Sequence, residues 1–234
     1  MKNHITPLIE TKNLEKVYFK KKASVKALDG INLTALKGEF LAIIGRSGSG
    51  KTTLLNILGG IDRPTSGEIK FEGKLLGNFS NRDLAILRRE KIGFIFQTFN
   101  LLPSFTVFEN VESALIHSGL TKDRIQYKVA ALLDLFELSE MSNRLPLELS
   151  VGQQQKVAIA RALVKDPTII LADEPTGEMD PITSREILEK LIELNQKSKI
   201  TLIIASHGKS MHSDADRTLF IKAGRIVSQK EAGY

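Results

Sequence analysis

Short apolar runs bounded by turn residues alternate with helical patterns along most of the chain. We predict strands at residues 40–45, 67–73, 91–97, 168–173 and 200–206, and a hairpin over residues 218–228 that turns at Ala223-Gly224. The runs at 168–173 and 200–206 are short, β-branched and apolar, as the central strands of parallel sheets are. This alternation predicts an α/β fold.

The pattern changes between about residues 102 and 165, where helical periodicity replaces the strand signals. One apolar stripe recurs there at helical spacing and consists of Ile125, Val129, Leu132, Leu133 and Phe136. We therefore predict a helical subdomain, residues 99–166, inserted into a core formed by residues 1–98 and 167–234. Together they make up a single domain, residues 1–234.

A further helix is predicted after the inserted subdomain. Asp180 can cap its first turn, and Pro181 occupies the first helical position, where proline is favoured. The buried face of this helix would consist of Ile187, Leu188, Leu191 and Ile192.

Composition narrows the class of protein. The 234 residues are 42% apolar and 26% charged, with 33 Lys+Arg against 27 Asp+Glu and a net charge of +6. These values are ordinary for a globular chain and exclude a disordered or collagen-like one. The chain has no Cys, which excludes disulfides, thiolate zinc sites and cysteine catalysis and fits a reducing compartment.

Membrane and export signals are missing from the sequence pattern. No apolar run approaches the ~20 residues that a membrane helix needs. The amino-terminal segment MKNHITPLIE lacks the apolar core of a secretory signal, so we expect neither a span nor an export signal. The net positive charge suits nucleic acid or an anionic bilayer surface, but a solvated basic face explains it more simply.

The strongest chemical signal is GRSGSGKT at residues 45–52, which satisfies G-x-x-x-x-G-K-[ST] between a predicted strand and a helix. Phosphate oxygens need many donors at close range, and glycines let backbone N–H groups approach them. Lys51 would reach the β- and γ-phosphates, and the Thr52 hydroxyl would coordinate Mg²⁺. The predicted nucleotide-binding residues of this loop are Gly45, Arg46, Ser47, Gly48, Ser49, Gly50, Lys51, Thr52 and Thr53.

An acidic pair, Asp173 and Glu174, follows the apolar run IILA. Asp173 can hold the hydration shell of Mg²⁺, and Glu174 is placed to orient and deprotonate an attacking water. Taken alone, the pair is equally compatible with a helix cap or a solvated turn. The phosphate loop alone fits a kinase, a GTPase or an ATPase. The Asn-Lys-x-Asp motif that reads guanine is missing, which disfavours a GTPase.

Several further segments together resemble one family, the ABC ATPases. Residues 149–153, LSVGQ, are similar to the LSGGQ signature and precede the acidic pair by the family's usual interval. Gln97 resembles the Q-loop glutamine, residues 174–180 resemble the Walker B exit and D-loop with Asp180, and His207 resembles the switch histidine. Tyr18 lies where the family stacks an aromatic ring on adenine. The match covers essentially the whole chain in the family's order.

The resemblance implies a P-loop NTPase fold of the ABC ATPase type, with a mixed sheet core, an inserted helical subdomain and an antiparallel β part. It implies ATP hydrolysis with Glu174, His207 and Gln97 as catalytic residues and ATP and Mg²⁺ as ligands. Thr52, Gln97 and Asp173 would bind the metal. The implied trans contacts, made to ATP bound by the other copy of a head-to-tail dimer, are Ser150, Val151, Gly152 and Gln153.

Residues 56–69, 88–111 and 152–163 are most similar to lipoprotein-releasing, macrolide-exporting and cell-division ATPases. That branch implies a cytoplasmic subunit at the inner face of the membrane. It would be a homodimer, or be paired with a related ATPase, and would drive separate permease subunits in export or extraction. A non-transport regulator of cell-wall enzymes remains an alternative. A nucleic-acid-associated ATPase is disfavoured, because it would need long coiled coils or tandem cassettes.

Three positions depart from the family pattern, and three assignments have simpler readings. Val151 replaces a glycine, Lys156 replaces a frequent arginine, and Gly208 stands where an acidic residue often follows the histidine. We expect Val151 to adopt an ordinary negative φ and the signature to keep its function through Ser150 and Gly152. As isolated residues, Gln97 and His207 are better explained as a strand end and a hydrogen-bonded core histidine, and only their place in the complete motif set favours the catalytic roles. Ordinary packing is the minority alternative for Tyr18.

Overall fold

The computed structural model describes residues 7–20, 23–177, 179–208 and 213–233. Its strands are β1 (Pro7–Lys20), β2 (Ala23–Leu36), β3 (Phe40–Ile44), β4 (Ser66–Phe71), β5 (Lys74–Leu75), β6 (Ile92–Ile95), β7 (Ile169–Asp173), β8 (Thr201–Ser206), β9 (Arg217–Lys222) and β10 (Arg225–Val227). Its helices are α1 (Lys51–Leu58), α2 (Asn81–Lys91), α3 (Val107–Glu112), α4 (Lys122–Leu135), α5 (Val151–Leu163), α6 (Pro181–Ser198) and α7 (Gln229–Ala232).

The larger sheet has six strands in the order β10-β9-β3-β8-β7-β6. Strands β9, β3, β8, β7 and β6 are parallel, and β10 closes the edge as the antiparallel arm of a hairpin. Every residue of β3, β7 and β8 is buried, because α1 and a second, smaller sheet cover one face of the larger sheet and α3 to α6 cover the other. The predicted central strands are therefore confirmed, and their carboxyl ends meet at one edge.

The smaller sheet is antiparallel, in the order β2-β1-β4-β5. Our sequence pattern predicts β4 but misses the long strands β1 and β2. Their pairing register shifts between Thr11 and Leu14 and again between Leu14 and Lys16. Each such irregularity breaks the period-two alternation that identifies a half-buried strand. The pattern also misses α2, although Ser80 and Asp83 form a capping box at its start.

The helices α3, α4 and α5 lie between β6 and β7 in the chain, within the segment for which the sequence predicts helical periodicity. Val129, Leu133 and Phe136 are buried, and Ile125 and Leu132 pack partly buried against them. These helices share one apolar cluster with residues of the larger sheet, among them Phe40, Ile170 and Leu202. The inserted segment therefore has no separate core of its own.

The predicted helix cap and the predicted hairpin are both present. Asp180 accepts hydrogen bonds from the backbone N–H groups of Ile182 and Thr183, each at 3.0 Å, and α6 begins at Pro181. Its buried residues include Ile187, Leu188 and Leu191, and Ile192 is partly buried. Ala223 and Gly224, at φ 47° and 76°, make the turn between β9 and β10. None of the described helices has the length and apolarity that crossing a membrane requires.

Candidate functional site

The phosphate loop joins β3 to α1 at the carboxyl edge of the larger sheet. A Cβ on Gly45 would lie 2.4 Å from the Ile221 carbonyl, and one on Gly50 would lie 2.5 Å from the Ala27 carbonyl. Gly48 has φ 76° and open space around it. Two of the glycines are thus required because the neighbouring strands press against the loop, while Gly48 supplies the turn.

Lys51, the first residue of α1, is only 5% exposed. Its ammonium donates to the carbonyls of Gly45 at 2.8 Å and Arg46 at 3.3 Å. The same Nζ lies 3.3 Å from Glu174 Oε1. The side chain therefore stands between the loop and the end of β7, where an incoming phosphate would meet it.

Asp173 is the last residue of β7 and is buried, and its Oδ1 has no hydrogen-bond partner among the described residues. Burial raises the pKa of Asp173, and the neighbouring Glu174 carboxylate raises it further, although the Thr52 hydroxyl and Lys51 act against both. The described residues contain no group of three or more His, Asp or Glu side chains fit to hold a metal by itself. Mg²⁺ usually binds one or two protein groups and completes its shell with phosphate and water. The Thr52–Asp173 pair fits a metal that arrives with a nucleotide.

Glu174 and His207 follow adjacent strands of the sheet and are in contact. Glu174 Oε2 hydrogen-bonds His207 Nδ1, while its Oε1 faces Lys51. The Glu174 backbone has φ 48° and its N–H donates to the Ala205 carbonyl at 2.9 Å. A positive φ at a glutamate is strained, and the β8 backbone holds it in place. The fold thus brings Lys51, Thr52, Asp173, Glu174 and His207 together from the ends of three strands.

Gln97 is exposed and lies two residues beyond the end of β6, which pairs with β7. The backbone that follows it is held by α5. Arg161 donates to the carbonyls of Phe99 and Asn100, both at 2.6 Å, and these two residues have φ 56° and 48°. Burial lowers the pKa of Arg161. The segment after Gln97 is therefore tied to the helix that begins with the signature.

Ser150 caps α5 in a reciprocal arrangement with Gln153. Its hydroxyl accepts from the Gln153 N–H at 3.3 Å, and its own N–H donates to Gln153 Oε1 at 2.9 Å. Val151 begins the helix without a positive φ and is 41% exposed, so the expected backbone conformation is confirmed. A Cβ on Gly152 would lie 2.8 Å from Thr183 Cγ2 on α6.

The signature residues line a surface groove of about 320 Å³, which we call the signature groove. Its walls are Ser150, Val151, Gly152, Gln153, Lys156, Met179, Asp180, Thr183 and Glu186. No phosphate-loop residue is among these described walls. Lys156 also forms an ion pair with Glu137, with Nζ 3.3 Å from Oε2. Glu178, in the predicted D-loop, lies outside the described residues.

Two polar contacts near the site were missed by sequence reasoning. Gln155 is fully buried on α5 and donates to the Pro175 carbonyl at 2.7 Å, just beyond the acidic pair. The detectable signal is a polar residue at helical spacing from Ala158, Ile159 and Ala162, all of which are buried. Tyr18, on β1 and 38% exposed, hydrogen-bonds Asp62 at 2.8 Å, and no local pattern indicates that pair.

The comparison with known proteins decides the family. The family model described as ABC transporter matches residues 28–177. The chain belongs to the ABC transporter family. As a member, it contains an ATP-binding and ATP-hydrolysing ABC domain, and its predicted fold is confirmed.

The relatives divide by length. The chain is 42% identical over 221 residues to the lipoprotein-releasing system ATP-binding protein LolD of Syntrophus aciditrophicus, covering 94% of this chain and 99% of that protein. It is 45% identical over 222 residues to the macrolide export ATP-binding/permease protein MacB of Hyphomonas neptunium, covering 95% of this chain. This chain spans only 34% of that MacB protein.

A solved structure agrees in shape. The dimeric post-hydrolysis state of the ATP-binding cassette MJ0796 bound to ADP and Pi superposes with a TM-score of 0.89 and 38% identity. The match covers 94% of this chain and 97% of that one.

Proposed function

We propose that this chain binds ATP with Mg²⁺ at the phosphate-loop edge and pairs head to tail with a second copy or a related ATPase. Hydrolysis would then drive separate integral membrane subunits that export or extract a substrate. The observation that carries the proposal is the separation of two surfaces. Lys51, Asp173 and Glu174 converge within one chain, whereas Ser150 and Gly152 face outward in the signature groove.

The backbone of residues 45–50, together with Lys51, would hold the triphosphate. Lys51 already donates to loop carbonyls and can exchange those contacts for phosphate oxygens without moving α1. Arg46, Ser47, Ser49 and Thr53 would complete the predicted contacts. Thr52 and Asp173, with Gln97 from the neighbouring strand end, would hold Mg²⁺. That metal supplies charge neutralisation on the β- and γ-phosphates when bound.

Glu174 would act as the general base. Its carboxylate accepts a proton from water while the water oxygen bonds the γ-phosphorus and the bond to the β,γ-bridging oxygen breaks. His207 would orient the Glu174 carboxylate through its hydrogen bond to Oε2. The ion pair between Lys51 and Oε1 would fix the position of the other carboxylate oxygen. This arrangement supports the assignment of Glu174 and His207 to one catalytic unit.

The signature groove would receive the γ-phosphate of ATP bound to the other copy, through Ser150, Val151, Gly152 and Gln153. Asp180 lies in the same groove, as a D-loop residue at a dimer interface would. ATP favours the closed dimer only because it contacts both copies there, so closure uses differential affinity. The dimeric state of the MJ0796 structure supports this arrangement.

Transport is the better supported of the two functional alternatives. The relatives described above are named for lipoprotein release and macrolide export, and none of them for cell-wall regulation. We therefore propose a cytoplasmic location at the inner membrane face, held there by the membrane subunits. The helices α3 to α5 and their place in the chain support residues 99–166 as the helical signature subdomain.

Glu174→Gln tests the proposal. The variant should keep ATP affinity, lose turnover by on the order of 10²- to 10⁴-fold, and accumulate as an ATP-bound dimer. Phosphate release and size-exclusion chromatography with Mg-ATP measure the two effects. Glu140→Gln, at an exposed position away from the site, is the matched control. Unchanged hydrolysis in Glu174→Gln would overturn the assignment of the base.

A further inference from the structure

Tyr18, the predicted adenine-stacking residue, is fixed by two neighbours that no motif identifies. Lys16 and Tyr18 are two residues apart on β1, and both side chains contact Asp62. The Lys16 ammonium lies over the Tyr18 ring, 4.9 Å from its centroid. That distance is within the range of a cation–π contact. One face of the ring is therefore covered by a cation.

Asp62 joins both side chains from another segment. Its Oδ2 accepts the Tyr18 hydroxyl at 2.8 Å, and its Oδ1 accepts the Lys16 ammonium at 2.7 Å. The Arg63 N–H donates to the same Oδ1 at 2.7 Å. Burial raises the pKa of Asp62, but the hydrogen bonds from Lys16, Tyr18 and Arg63 outweigh it and keep that pKa below its usual range. The carboxylate is thus charged and fully engaged at neutral pH.

The segment carrying Asp62 is attached to the phosphate-loop helix. The N–H groups of Ile61 and Asp62 both donate to the Asn56 carbonyl of α1, at 2.8 and 3.2 Å. The Thr53 hydroxyl, also on α1, interacts with the Tyr18 hydroxyl. Because α1 begins at Lys51, the position of the ring is set relative to the residues that would bind phosphate.

We infer that Asp62 is a positioning residue for the nucleobase: with Lys16 it holds the Tyr18 ring as a platform at a set place relative to the phosphate loop. The base then stacks on the ring face opposite the Lys16 ammonium. This inference rests on the proposed ATP site and adds to it the group that orders the platform before nucleotide binds. An ordered ring spares the binding step the entropy of fixing a flexible side chain.

A purely structural Lys16–Asp62 pair makes a different prediction. The Lys16–Asp62 pair is partly buried, with its side chains 13% and 30% exposed, so its loss could disturb the local structure. Such a structural defect would weaken the binding of every ligand of the site alike. A platform defect weakens only ligands that carry a base. Inorganic tripolyphosphate has the phosphates of ATP without the base, so it separates the two cases.

The experiment uses the full chain and measures dissociation constants for Mg-ATP and Mg-tripolyphosphate by calorimetry. Asp62→Asn keeps the size of the side chain but replaces one carboxylate oxygen with an NH₂ group, which is a donor. The asparagine therefore cannot accept hydrogen bonds from Lys16 and Tyr18 through two separate oxygens, as the carboxylate does. We expect its ATP affinity to fall roughly three- to tenfold, since base–aromatic stacking is only partly lost, with tripolyphosphate affinity unchanged. KM for ATP should rise by the same factor with kcat preserved.

Tyr18→Phe provides the second variant, because it keeps the ring and removes only the hydroxyl that Asp62 accepts. Its affinity for ATP should also fall. In the double variant Tyr18→Phe/Asp62→Asn, the fold-loss of ATP affinity should be smaller than the product of the two single losses, because both substitutions break the same hydrogen bond. The control is Asp123→Asn, which changes an exposed carboxylate on α4 and should leave the affinities for both ligands unchanged. Tyr18→Phe also tests the inference if Asp62→Asn fails to fold.

The other outcomes are equally informative. Equal losses for ATP and tripolyphosphate, or an unchanged ATP affinity in both variants, overturn the positioning role. If the wild-type chain binds tripolyphosphate as tightly as ATP, the base contributes nothing to binding and Tyr18 is not a stacking platform. A wild-type chain that binds neither ligand overturns the proposed function instead.

Discussion

The phosphate-loop edge and the signature groove differ in how completely a single chain builds them. At the edge, Lys51 and Asp173 are 5% and 9% exposed and converge from different strand ends. In the groove, Val151 is 41% exposed, and Ser150 and Gln153 cap each other at the start of α5. The first surface is assembled by the core of the sheet. The second is assembled by the first turns of α5 and α6, and in the proposed function a second chain completes it.

The same contrast appears in the unsatisfied atoms. Ser49 Oγ and Asp173 Oδ1 are buried at the edge without hydrogen-bond partners among the described residues. Leaving such a group unpaired costs about 1–3 kcal/mol. A ligand that bonds these buried atoms at the edge would therefore recover that free energy. The groove has no such gain to offer, because its polar groups are exposed to water. The comparison predicts different consequences for substitutions on the two surfaces.

Lys51→Ala should have the largest effect. It removes a buried ammonium whose hydrogen bonds to phosphate would be charge-assisted, so ATP affinity should fall by on the order of 100-fold or more. The ATP-induced rise in Tm should vanish with it. Isothermal calorimetry and thermal denaturation measure both, with Lys70→Ala on the exposed face of β4 as control. Retained affinity would contradict the phosphate-loop assignment.

Gly152→Ala should come second and act on turnover alone. The added methyl group would lie 2.8 Å from Thr183 Cγ2, so either the first turn of α5 or Thr183 on α6 must shift, and both line the signature groove. A displacement of about 1 Å at a reacting group can cost 100-fold, and we expect a loss of roughly ten- to 100-fold in kcat. ATP affinity of single copies should be unchanged.

The control for Gly152→Ala is built into α6. Thr183→Ser removes the Cγ2 atom that the new methyl group meets and keeps the hydroxyl, so Gly152→Ala/Thr183→Ser should regain activity. ATP affinity of Gly152→Ala should be measured at protein concentrations too low for two copies to associate. A loss of affinity there would mean that the phosphate-loop edge and the signature groove are not independent.

Asp180→Ala should lower Tm by about 2–4 °C at neutral pH, because it removes the cap of α6. The backbone N–H of Thr183, followed by its hydroxyl, lowers the pKa of Asp180 in the folded chain. The cap therefore contributes fully above the unfolded pKa of about 3.9 and loses its contribution as pH falls through the folded value. Thermal melts between pH 3 and 7 should show the wild-type advantage shrinking at the acid end. Asp180→Asn, which retains a capping oxygen, should lose less.

Val151→Gly should have the smallest effect. Val151 has a normal helical backbone and an exposed side chain, so nothing in the chain requires glycine there. We expect kcat to change by no more than about twofold and stability to fall by under about 1 kcal/mol. An inactive wild type revived by Val151→Gly would show instead that the partner's ATP needs the closer approach that glycine allows.

Much of the larger sheet could be predicted from sequence, because its strands are continuous apolar runs. The phosphate loop was equally visible, since its spacing depends on residues a few positions apart. The strands β1 and β2 were not visible, because bulges near Asn13 and Glu15 disrupt their alternation. Gln155 was overlooked for another reason: its helical spacing indicates that it is buried, but no local pattern indicates that its partner is the Pro175 carbonyl.

The glycines show where a correct prediction had an incomplete reason. The sequence indicates glycine-rich backbone suited to phosphate, and the loop has that form. The structure adds that Gly45 and Gly50 are also required by the carbonyls of Ile221 and Ala27, which belong to other strands. Those neighbours depend on the order of strands in the larger sheet, for Ile221, and on the packing of the smaller sheet against it, for Ala27.

The sequence by itself determined the local devices of this protein: the loop GRSGSGKT, the cap formed by Asp180 before Pro181, and the apolar runs of β3, β7 and β8. Each depends on residues near one another in the chain, so propensity and spacing are enough to specify it. Only the tertiary structure decided that Lys51 faces Glu174 and that Tyr18 meets Asp62, 44 residues away. Such pairs follow from which strands lie side by side, and that order is set by packing of the whole core.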